Sequence, residues 1–411
     1  MKDCHCKNKK GRPSCSSRPC LPPALRQELK ELAQGIVRLE DGNFTKKIWG
    51  GDWIVSLKGS KGKKEKIGES WEFSGLPELP NVIKLKGGKG ISLDKLIQLF
   101  PRDILGDVVF KRCGARSPIL LKFIDAKENL SLQVHPPTPY ALKHENQSGK
   151  SEAWYILDTG PAPDDGIIYL GFNKGAAADT KDGEEFKNAF FDAIEQANDI
   201  GPTVTAQKLS QAASLVLPFV NKIRVNPGDV YMLPPGTIHS IGKGVRLFEI
   251  QQSSSLTYRV WDWNRVDPDG SRPGKPCSRE LHVEKAMDVL DFAPKTPDEL
   301  MFSPEEKPTP QPSIENEVII QDPIGKFCAE LLSFDEKGCE LIQDTGGLFA
   351  VLTVIEGEVT VAPRASAKSA FGKSVHVRRG FTVLIPASVA QFKIESLSPQ
   401  AQLIQSSAWE R

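Results

Sequence analysis

Three polar residues at alternate positions between Leu130 and Pro136 could bind a metal ion or a polar substrate. In a β-strand, residues two apart point to the same face, so Ser131, Gln133 and His135 can project together into a barrel interior. A glutamine oxygen beside a histidine nitrogen is a reasonable pair of ligands for a borderline metal such as zinc. Considered alone, the pattern also fits a histidine that satisfies a hydrogen bond in a protein core.

Two residues further along the chain strengthen the metal interpretation. Glu152 begins the next predicted strand, and His239 follows the sequence Pro-Pro-Gly at 234–236, at the end of another strand. With Gln133 and His135, they supply one carboxylate, two imidazoles and one amide. This set leaves a coordination position for a water molecule or a substrate oxygen, as a catalytic metal needs. We therefore predict one divalent metal ion per chain, with zinc as the expected ion.

Short β-strands must bring these four residues together. The chain is dominated by short apolar stretches separated by Gly- and Pro-containing turns, which favours a sandwich or barrel over a parallel α/β arrangement. One such turn, at residues 226–229, is predicted to reverse the chain between strands at 222–225 and 230–233. Helices are predicted at residues 22–40, 92–100, 182–200 and 281–292.

A weak internal repeat predicts two barrels. A glycine, an apolar strand and a proline at residues 228–234 match in character those at residues 380–386. Extending this ungapped alignment places Gln391 opposite His239, so the second barrel would share the shape of the first without its ligands. We predict a mainly β fold of two jelly-roll β-barrels, with a few helices inserted between strands.

The predicted domains follow this division. They are a Cys- and Lys-rich tail with a short helix, partly disordered, at residues 1–40, a catalytic metal-binding domain at residues 41–293 with a helical insertion around 182–217, a Pro-rich linker at 294–312, and a metal-free second barrel at 313–411. The spacings of Cys4, Cys6, Cys15 and Cys20 fit no zinc-finger pattern, which favours a disordered tail over a structural metal site.

The composition argues against several classes of partner. The 53 basic and 52 acidic residues nearly cancel, so there is no global positive charge to hold nucleic acid or an anionic membrane surface. No apolar run approaches the length of a membrane span, and the first residues lack the hydrophobic segment of a signal peptide. The eight cysteines form no dense disulfide framework. We predict a cytoplasmic protein whose selectivity for a charged ligand is local.

Nine motifs occur in the order in which a known enzyme family carries them. They are Ile48–Gly51 (IWGG), Ile67–Glu72 (IGESWE), Leu121–Ala126 (LKFIDA), Gln133–Pro136 (QVHP), Gly149–Tyr155 (GKSEAWY), Leu233–His239 (LPPGTIH), Glu249–Ser253 (EIQQS), Tyr258–Trp263 (YRVWDW) and Arg279–His282 (RELH). Over about Phe44 to Phe292, the chain resembles the type I mannose-6-phosphate isomerases, which are cupin-fold zinc enzymes. The resemblance implies that the predicted barrels are of the cupin type.

The resemblance also implies roles for individual residues. The metal ligands fall on Gln133, His135, Glu152 and His239, the four residues already reached from their spacing. The other implied site residues are Ser131 and Lys122 as contacts for the sugar phosphate, Lys150 and Arg259 as basic active-site residues, and Glu249 as a carboxylate lining the same pocket. Tyr258, beside Arg259, is a further candidate substrate contact.

The implied reaction is the reversible interconversion of mannose 6-phosphate and fructose 6-phosphate through an enediol. A divalent cation would polarise the sugar carbonyl as a Lewis acid, and the permanently charged Arg259 could hold developing negative charge. A base must remove a carbon-bound proton, and Lys150, Glu249 and a metal-bound water are all candidates. The expected partner is a small sugar phosphate, and the expected assembly is a monomer or a homodimer.

Two other kinds of function fit part of the pattern. Two histidines and a carboxylate can hold Fe(II) in a cupin oxygenase, and related cupins are sugar-phosphate isomerases or epimerases. The fourth ligand, Gln133, and the candidate phosphate contacts argue for a redox-inert ion instead. A non-catalytic cupin that binds sugar phosphates is the alternative outside the enzymes, and it would bind its ligand without turnover.

Overall fold

The computed structural model describes residues 21–40, 42–59, 66–267, 278–364 and 373–408. Over these residues the protein is mainly β, and its antiparallel sheets form two barrels with helices inserted between strands. The predicted fold is therefore confirmed. The cysteine cluster of the predicted tail lies outside the described residues. No helix within them is long and apolar enough to span a membrane.

The strands are short and alternate with turns. In chain order they are β1 Val37–Arg38, β2 Phe44–Gly51, β3 Ile67–Phe73, β4 Val82–Lys84, β5 Gly90–Ser92, β6 Ile119–Asp125, β7 Leu132–Val134, β8 Glu152–Thr159, β9 Ile167–Phe172, β10 Val220–Arg224, β11 Val230–Leu233, β12 His239–Ile241, β13 Val245–Gln252, β14 Tyr258–Trp261, β15 Met301–Phe302, β16 Glu305–Glu306, β17 Ile314–Gln321, β18 Cys328–Phe334, β19 Glu340–Asp344, β20 Ala350–Glu356, β21 Glu358–Pro363, β22 Val375–Arg378, β23 Thr382–Ile385, β24 Gln391–Ser396 and β25 Ala401–Ser407.

Each barrel consists of two facing sheets with an apolar core between them. In the first barrel, a seven-stranded sheet in the order β15-β11-β8-β13-β6-β3-β2 faces a five-stranded sheet in the order β10-β9-β12-β7-β14. In the second barrel, a seven-stranded sheet in the order β1-β23-β20-β25-β18-β17-β16 faces a four-stranded sheet in the order β22-β21-β24-β19. Strands β4 and β5 form a separate pair.

The two barrels share one strand topology. In the larger sheets, β11, β8, β13 and β6 hold the places that β23, β20, β25 and β18 hold in the second barrel, and the smaller sheets correspond in the same way. His239 begins β12, and Gln391 begins the equivalent strand β24. The weak sequence repeat therefore reflects a duplicated unit, aligned as its glycine and proline residues predict.

The chain passes between the barrels more than once. The edge strand β1, which follows the N-terminal helix, pairs with β23 of the second barrel, with Val37 opposite Leu384. Within the predicted linker, β15 pairs with β11 of the first barrel and β16 pairs with β17 of the second. The described part of the predicted tail is thus folded onto the second barrel, and the linker segment supplies one edge strand to each barrel.

The two large sheets pack face to face at the interface between the barrels. One apolar cluster contains Phe123 and Phe248 of the first barrel together with Val351 and Ile404 of the second. The other face of the large sheet of the first barrel lines the interior of that barrel, so this sheet is buried on both faces. This explains why β6 is almost continuously apolar rather than alternating.

The helices lie outside the barrels. They are α1 Pro23–Ala33, α2 Trp53–Leu57, α3 Leu93–Leu99, α4 Pro101–Leu105, α5 Asp107–Cys113, α6 Thr138–Glu145, α7 Lys174–Ala178, α8 Gly183–Asp199, α9 Ala206–Val216 and α10 Val283–Val289, with short 3-10 helices at Leu217–Phe219, Pro297–Glu299 and Ala387–Val389. The predicted insertion contains α8, whose N-terminus is capped by Asp182 accepting from the backbone N–H groups of Glu184 and Glu185. Its residues Phe186 and Phe190 pack on the ring of Phe172 in β9.

Candidate metal centre

The predicted ligands lie where the two sheets of the first barrel meet. Gln133 of β7 and His239 of β12 are direct partners in the small sheet, and His135 follows β7. Glu152 begins β8 in the facing sheet, so its carboxylate approaches the histidines from the opposite side. Strand pairing and sheet packing therefore bring together residues that are more than 100 positions apart in the chain.

The ligand atoms of the two histidines and the glutamate are close enough to share one ion. Oε2 of Glu152 lies 3.3 Å from Nε2 of His135, and Oε1 lies 3.3 Å from Nε2 of His239. The three groups can offer ligand atoms that all lie within 4.8 Å of one another. All three side chains are buried. This cluster is therefore able to hold a metal ion.

Backbone carbonyl groups fix the tautomers of both histidines. Nδ1 of His135 donates to the carbonyl oxygen of Leu256 at 2.8 Å, and Nδ1 of His239 donates to that of Thr237 at 2.8 Å. The proton on Nδ1 leaves a lone pair on Nε2, which points at Glu152. Burial lowers the pKa of His135 to about 3 and also lowers the pKa of His239. Both rings are therefore neutral near pH 7, in the form that binds metals.

Two buried atoms of this cluster, Nε2 of His135 and Oε2 of Glu152, accept no hydrogen bond of regular geometry from the described residues. Burial alone would raise the pKa of Glu152, but the ammonium group of Lys150, 2.7 Å from Oε2, helps to hold that pKa well below its usual range. An ionised carboxylate facing neutral imidazole lone pairs is a costly arrangement without a cation between them. The residues present therefore fit a divalent metal ion.

The Gln133 side chain adjoins this cluster. Its Nε2 lies 3.3 Å from Nε2 of His239, and its Oε1 accepts from Oγ of Ser131 at 3.1 Å. A half-turn of the amide would direct the oxygen towards His239 and let Nε2 donate to the serine hydroxyl, which can also accept. Gln133 can therefore offer an oxygen ligand without moving its backbone.

A cavity of about 300 Å³ opens onto these residues, and its lining is rich in charged groups. The cationic side chains are Lys47, Lys122, Lys150, Arg259 and Arg279, and the carboxylates are Glu69, Glu152 and Glu249. His239, the histidine in this lining, is neutral. The five cations and three anions therefore give the lining a net positive charge. The chain as a whole is nearly neutral, but this cavity carries the local positive charge that can select an anionic ligand.

Lys122 is buried in this cavity rather than solvated on the strand surface. Its Nζ lies 3.2 Å from Oε1 of Glu249, and the same oxygen lies 3.9 Å from Nζ of Lys150. Burial would lower the pKa of Lys122, but the charges of Glu249 and Glu69 raise it above its usual value. Burial also opposes ionisation of Glu69, yet Lys122 and Lys47 lower its pKa to about 2. Lys122 and Glu69 are therefore both charged near pH 7, although both are buried in the wall of the cavity.

Arg259 is connected to the metal cluster through one hydroxyl group. Its Nε donates to Oγ of Ser131 at 3.2 Å, and Ser131 donates in turn to Gln133. Its Nη1 donates to the carbonyl oxygen of Glu280 at 2.6 Å. The guanidinium group is thereby fixed at the edge of the cavity, beside the residues that would hold a metal.

Tyr258 does not join these residues. Arg259 and Tyr258 are neighbours in β14, so their side chains point to opposite faces of the strand. The hydroxyl of Tyr258 donates to Oε1 of Glu145 at 2.8 Å, and the ring packs in the apolar cluster beneath the helical insertion. The expected role of Tyr258 as a substrate contact is therefore not supported by its position.

The cavity also contains residues that the sequence did not single out. Glu69 and Trp71 alternate in the IGESWE strand, and Nε1 of Trp71 donates to Oε2 of Glu69 at 2.8 Å. Arg279 begins the RELH motif and is held by two hydrogen bonds to the carboxylate of Asp262. The period-two pattern could have identified Glu69, but no local signal directs Arg279 to the cavity.

No model of a known protein family matches the chain. A mannose-6-phosphate isomerase of Streptococcus mutans is 36% identical over 245 residues, which are 60% of this chain and 65% of that protein. The chain thus matches slightly less than two thirds of this relative. The mannose-6-phosphate isomerase ManA of Bacillus subtilis is 28% identical over 359 residues, covering 86% of this chain and 93% of that protein.

Similarity to solved structures extends across both barrels. The crystal structure of the mannose 6-phosphate isomerase from Bacillus subtilis superposes with a TM-score of 0.68 at 26% identity, covering 91% of this chain and 99% of that one. A structure described as a putative mannosephosphate isomerase from Archaeoglobus fulgidus has a TM-score of 0.63 at 22% identity and supports the fold alone. The architecture of this chain is therefore shared with solved isomerases over almost its whole length.

Proposed function

We propose that this chain, which belongs to the family of the type I mannose-6-phosphate isomerases, catalyses the reversible interconversion of mannose 6-phosphate and fructose 6-phosphate. The observation that carries the proposal is the meeting of a buried His135, Glu152 and His239 cluster with a cavity of net positive lining. Both features suit an aldose phosphate, because a metal ion can polarise its carbonyl while the positive lining holds its dianionic phosphate.

The proposed cofactor is one zinc ion per chain, held by Gln133, His135, Glu152 and His239. Two imidazoles, a carboxylate and an amide oxygen suit this borderline ion. When bound, the ion would act as a Lewis acid on the sugar oxygens.

The protein's own groups would move the proton between C2 and C1. We assign the base to Glu249, because it is the cavity carboxylate that neither belongs to the His135, Glu152 and His239 cluster nor accepts from Trp71 and Thr45, and its charge is balanced by Nζ of Lys122 at 3.2 Å. Glu152 serves the metal cluster, and Glu69 accepts from Trp71 and Thr45. Lys150 and Arg259 would donate to the negative oxygens of the enediolate, since preorganised cations stabilise charge as it develops.

The phosphate group would be held by Ser131 and Lys122, with Arg279 adding positive charge at the cavity edge. Cytoplasmic location and a monomeric or homodimeric state remain predictions from the sequence.

The activity is tested by following fructose 6-phosphate formation from mannose 6-phosphate with the full chain. We expect turnover that is lost after complete chelation and returns on addition of zinc. Turnover that survives complete metal removal would exclude the proposed mechanism. Binding of mannose 6-phosphate to zinc-loaded protein without any turnover would favour a sugar-phosphate-binding cupin.

A further inference from the structure

Ser151 lies between two residues of the metal centre, but its side chain points away from them. Lys150 and Glu152 line the cavity, and alternation along the strand turns the intervening residue to the opposite face. There the hydroxyl of Ser151 donates to Oδ1 of Asp322 at 2.8 Å. Asp322 belongs to the second barrel, and both residues are buried. This hydrogen bond therefore joins the barrels directly behind Lys150 and Glu152.

The Asp322 carboxylate is fixed by the turn between β17 and β18. Its Oδ2 accepts from the backbone N–H of Lys326 at 2.9 Å. The backbone carbonyl of Asp322 accepts from Gly325 N–H at 2.8 Å, and its own N–H donates to the carbonyl of Phe327 at 3.1 Å. One carboxylate oxygen thus holds the turn, and the other is directed at Ser151.

Ser151 is also anchored within its own barrel. Its backbone N–H donates to Oε1 of Gln252 at 2.9 Å, and its carbonyl accepts from the backbone N–H of Gln252 at 3.0 Å. These two bonds set the position of the segment along β13. The bond to Asp322 sets its position against the second barrel, which no backbone bond of Ser151 does.

A neighbouring wall of the cavity has the same arrangement. In β3, Glu69 and Trp71 face the cavity, whereas Glu72 points towards the second barrel. Oε2 of Glu72 accepts from Nζ of Lys58 at 2.8 Å and from Oγ1 of Thr382, in the second barrel, at 3.1 Å. Two strands that supply cavity residues are therefore each hydrogen-bonded, on their reverse side, to the second barrel.

We propose that Asp322 is a positioning residue for the metal centre: through Ser151 it holds Lys150 and Glu152 in place. The second barrel, which has Gln391 where the first has His239, would then contribute to metal binding without supplying a ligand. The catalytic part of this proposal rests on the proposed isomerase function, whereas the metal-binding part does not.

The test compares four single variants of the full chain. Ser151→Ala removes the donor, and Asp322→Ala removes the acceptor. Asp322→Asn is conservative, because an amide can accept from Lys326 and donate to the serine oxygen. Ser396→Ala is the matched control: this serine of the second barrel is fully buried and donates to the carbonyl of Ser398 at 2.8 Å, in the sheet that carries no Asp322 contact.

Three quantities are measured for each variant: zinc affinity of the metal-free protein by competition with a chromophoric chelator, kcat and KM for mannose 6-phosphate, and the thermal midpoint. We expect Ser151→Ala and Asp322→Ala each to weaken zinc binding and lower kcat by about tenfold or more, with a smaller change in KM. Asp322→Asn should stay within about threefold of the wild type, since it keeps both hydrogen bonds. The control should change the thermal midpoint alone.

The proposal is overturned if Ser151→Ala lowers the thermal midpoint as the control does but leaves zinc affinity and kcat at wild-type values. If Asp322→Ala does not fold, Ser151→Ala decides, because it leaves the hydrogen bonds of the turn in place. Wild-type protein that binds zinc but does not isomerise the sugar would refute the proposed function. The zinc affinities would still decide the role of Asp322 in that case.

Discussion

At the scale of single residues, Arg259 separates metal binding from catalysis. Its guanidinium contacts Ser131 and Glu280 but none of the three clustered ligands. We therefore expect Arg259→Ala to retain zinc and to lose about 10²- to 10³-fold in kcat, as when one donor to a developing oxyanion is removed. Bound zinc and kcat are measured on the same sample.

The matched control for this prediction is Arg379→Ala. Arg379 lies in the second barrel, where its Nε donates to the carbonyl of Ile355 at 3.0 Å. Its loss should leave both zinc content and kcat unchanged. If Arg259→Ala lost zinc in proportion to its activity, the guanidinium would serve the metal ligands rather than the reaction.

His135 predicts how the metal-free protein responds to acid. Burial lowers its folded-state pKa to about 3, whereas an unfolded histidine has a pKa near 6.5. Because the unfolded chain takes up a proton that the folded chain refuses, the free energy of unfolding should decrease as pH falls from about 6.5 towards 3, by up to about 1.4 kcal/mol per pH unit. Above about pH 6.5 the His135 ring is neutral in both the folded and the unfolded chain, so its titration no longer lowers the free energy of unfolding.

Urea denaturation of metal-free protein at several pH values across this window measures the effect. His135→Gln removes the titrating ring and should give a shallower decrease than the wild type. Parallel profiles for the two proteins would contradict the assignment of a buried neutral ring at this position.

The residues of the candidate metal cluster were easier to group from the sequence than the residues around them. Gln133, Glu152 and His239 could be grouped because a strand alternates faces and because ligand types are few. The substrate contact expected of Tyr258 stays a prediction, but Tyr258 and Arg259 are adjacent in β14 and point to opposite faces of the strand. Arg279 was missed because its position depends on the bend of the chain around Asp262.

At the scale of elements, local signals located the helices α1, α3, α8 and α10 and several strands, but they did not determine which strands pair. The turn at residues 226–229 has the predicted reversing chemistry, yet β10 pairs with β9 and β11 pairs with β8, in different sheets. The helix predicted over 22–40 ends at Ala33. Beyond it, β1 pairs with a strand more than 300 residues away. Such pairings depend on packing between distant parts of the chain, so a short stretch of sequence does not predict them.

Gly149 tests how the segment that follows β7 positions the start of β8. A Cβ added there would lie 2.3 Å from the backbone nitrogen of Thr138 and 2.6 Å from the carbonyl oxygen of Pro136. Because backbone atoms cannot rotate away, Gly149→Ala must displace the segment that carries Lys150 and Glu152. We expect a loss of stability of about 1–3 kcal/mol, together with weaker zinc binding and lower kcat.

Gly183→Ala is the control for this substitution. Gly183 begins α8, and an added Cβ would meet nothing within 4 Å. Alanine there should preserve stability and activity, because alanine is favoured over glycine in helices. Thermal unfolding, zinc competition and kcat are compared for both variants, and equal behaviour of the two would refute the steric argument.

At the scale of the whole molecule, the barrels share an apolar core. Phe73 of the first barrel stacks on Phe349 beside the second, with ring centroids 5.6 Å apart. Neither large sheet is exposed on its interface face, so separation of the barrels would expose Phe123, Val351 and their neighbours to water. We therefore expect the second barrel to belong to the folding unit that contains the candidate metal centre.

The last prediction follows from this shared core: both barrels should unfold in one transition. Trp409 lies outside the described residues, and the other six tryptophans all belong to the first barrel. In a Trp409→Phe background, fluorescence therefore reports the first barrel, while far-UV circular dichroism reports both. Leu352 is fully buried in the second barrel's own core, and Leu352→Ala should cost about 2–5 kcal/mol. We expect this change to lower both denaturation midpoints equally.

The control is Val204→Ala, at a side chain of the first barrel that is 87% exposed, which should move neither midpoint. If the fluorescence midpoint of Leu352→Ala stayed at the wild-type value while circular dichroism lost amplitude earlier, the barrels would be independent folding units. The bonds of Asp322 and Thr382 would then connect two separately stable bodies. A common shift instead means that the two barrels unfold as one cooperative unit, as expected because the sheet that bears Glu152 is buried on both of its faces.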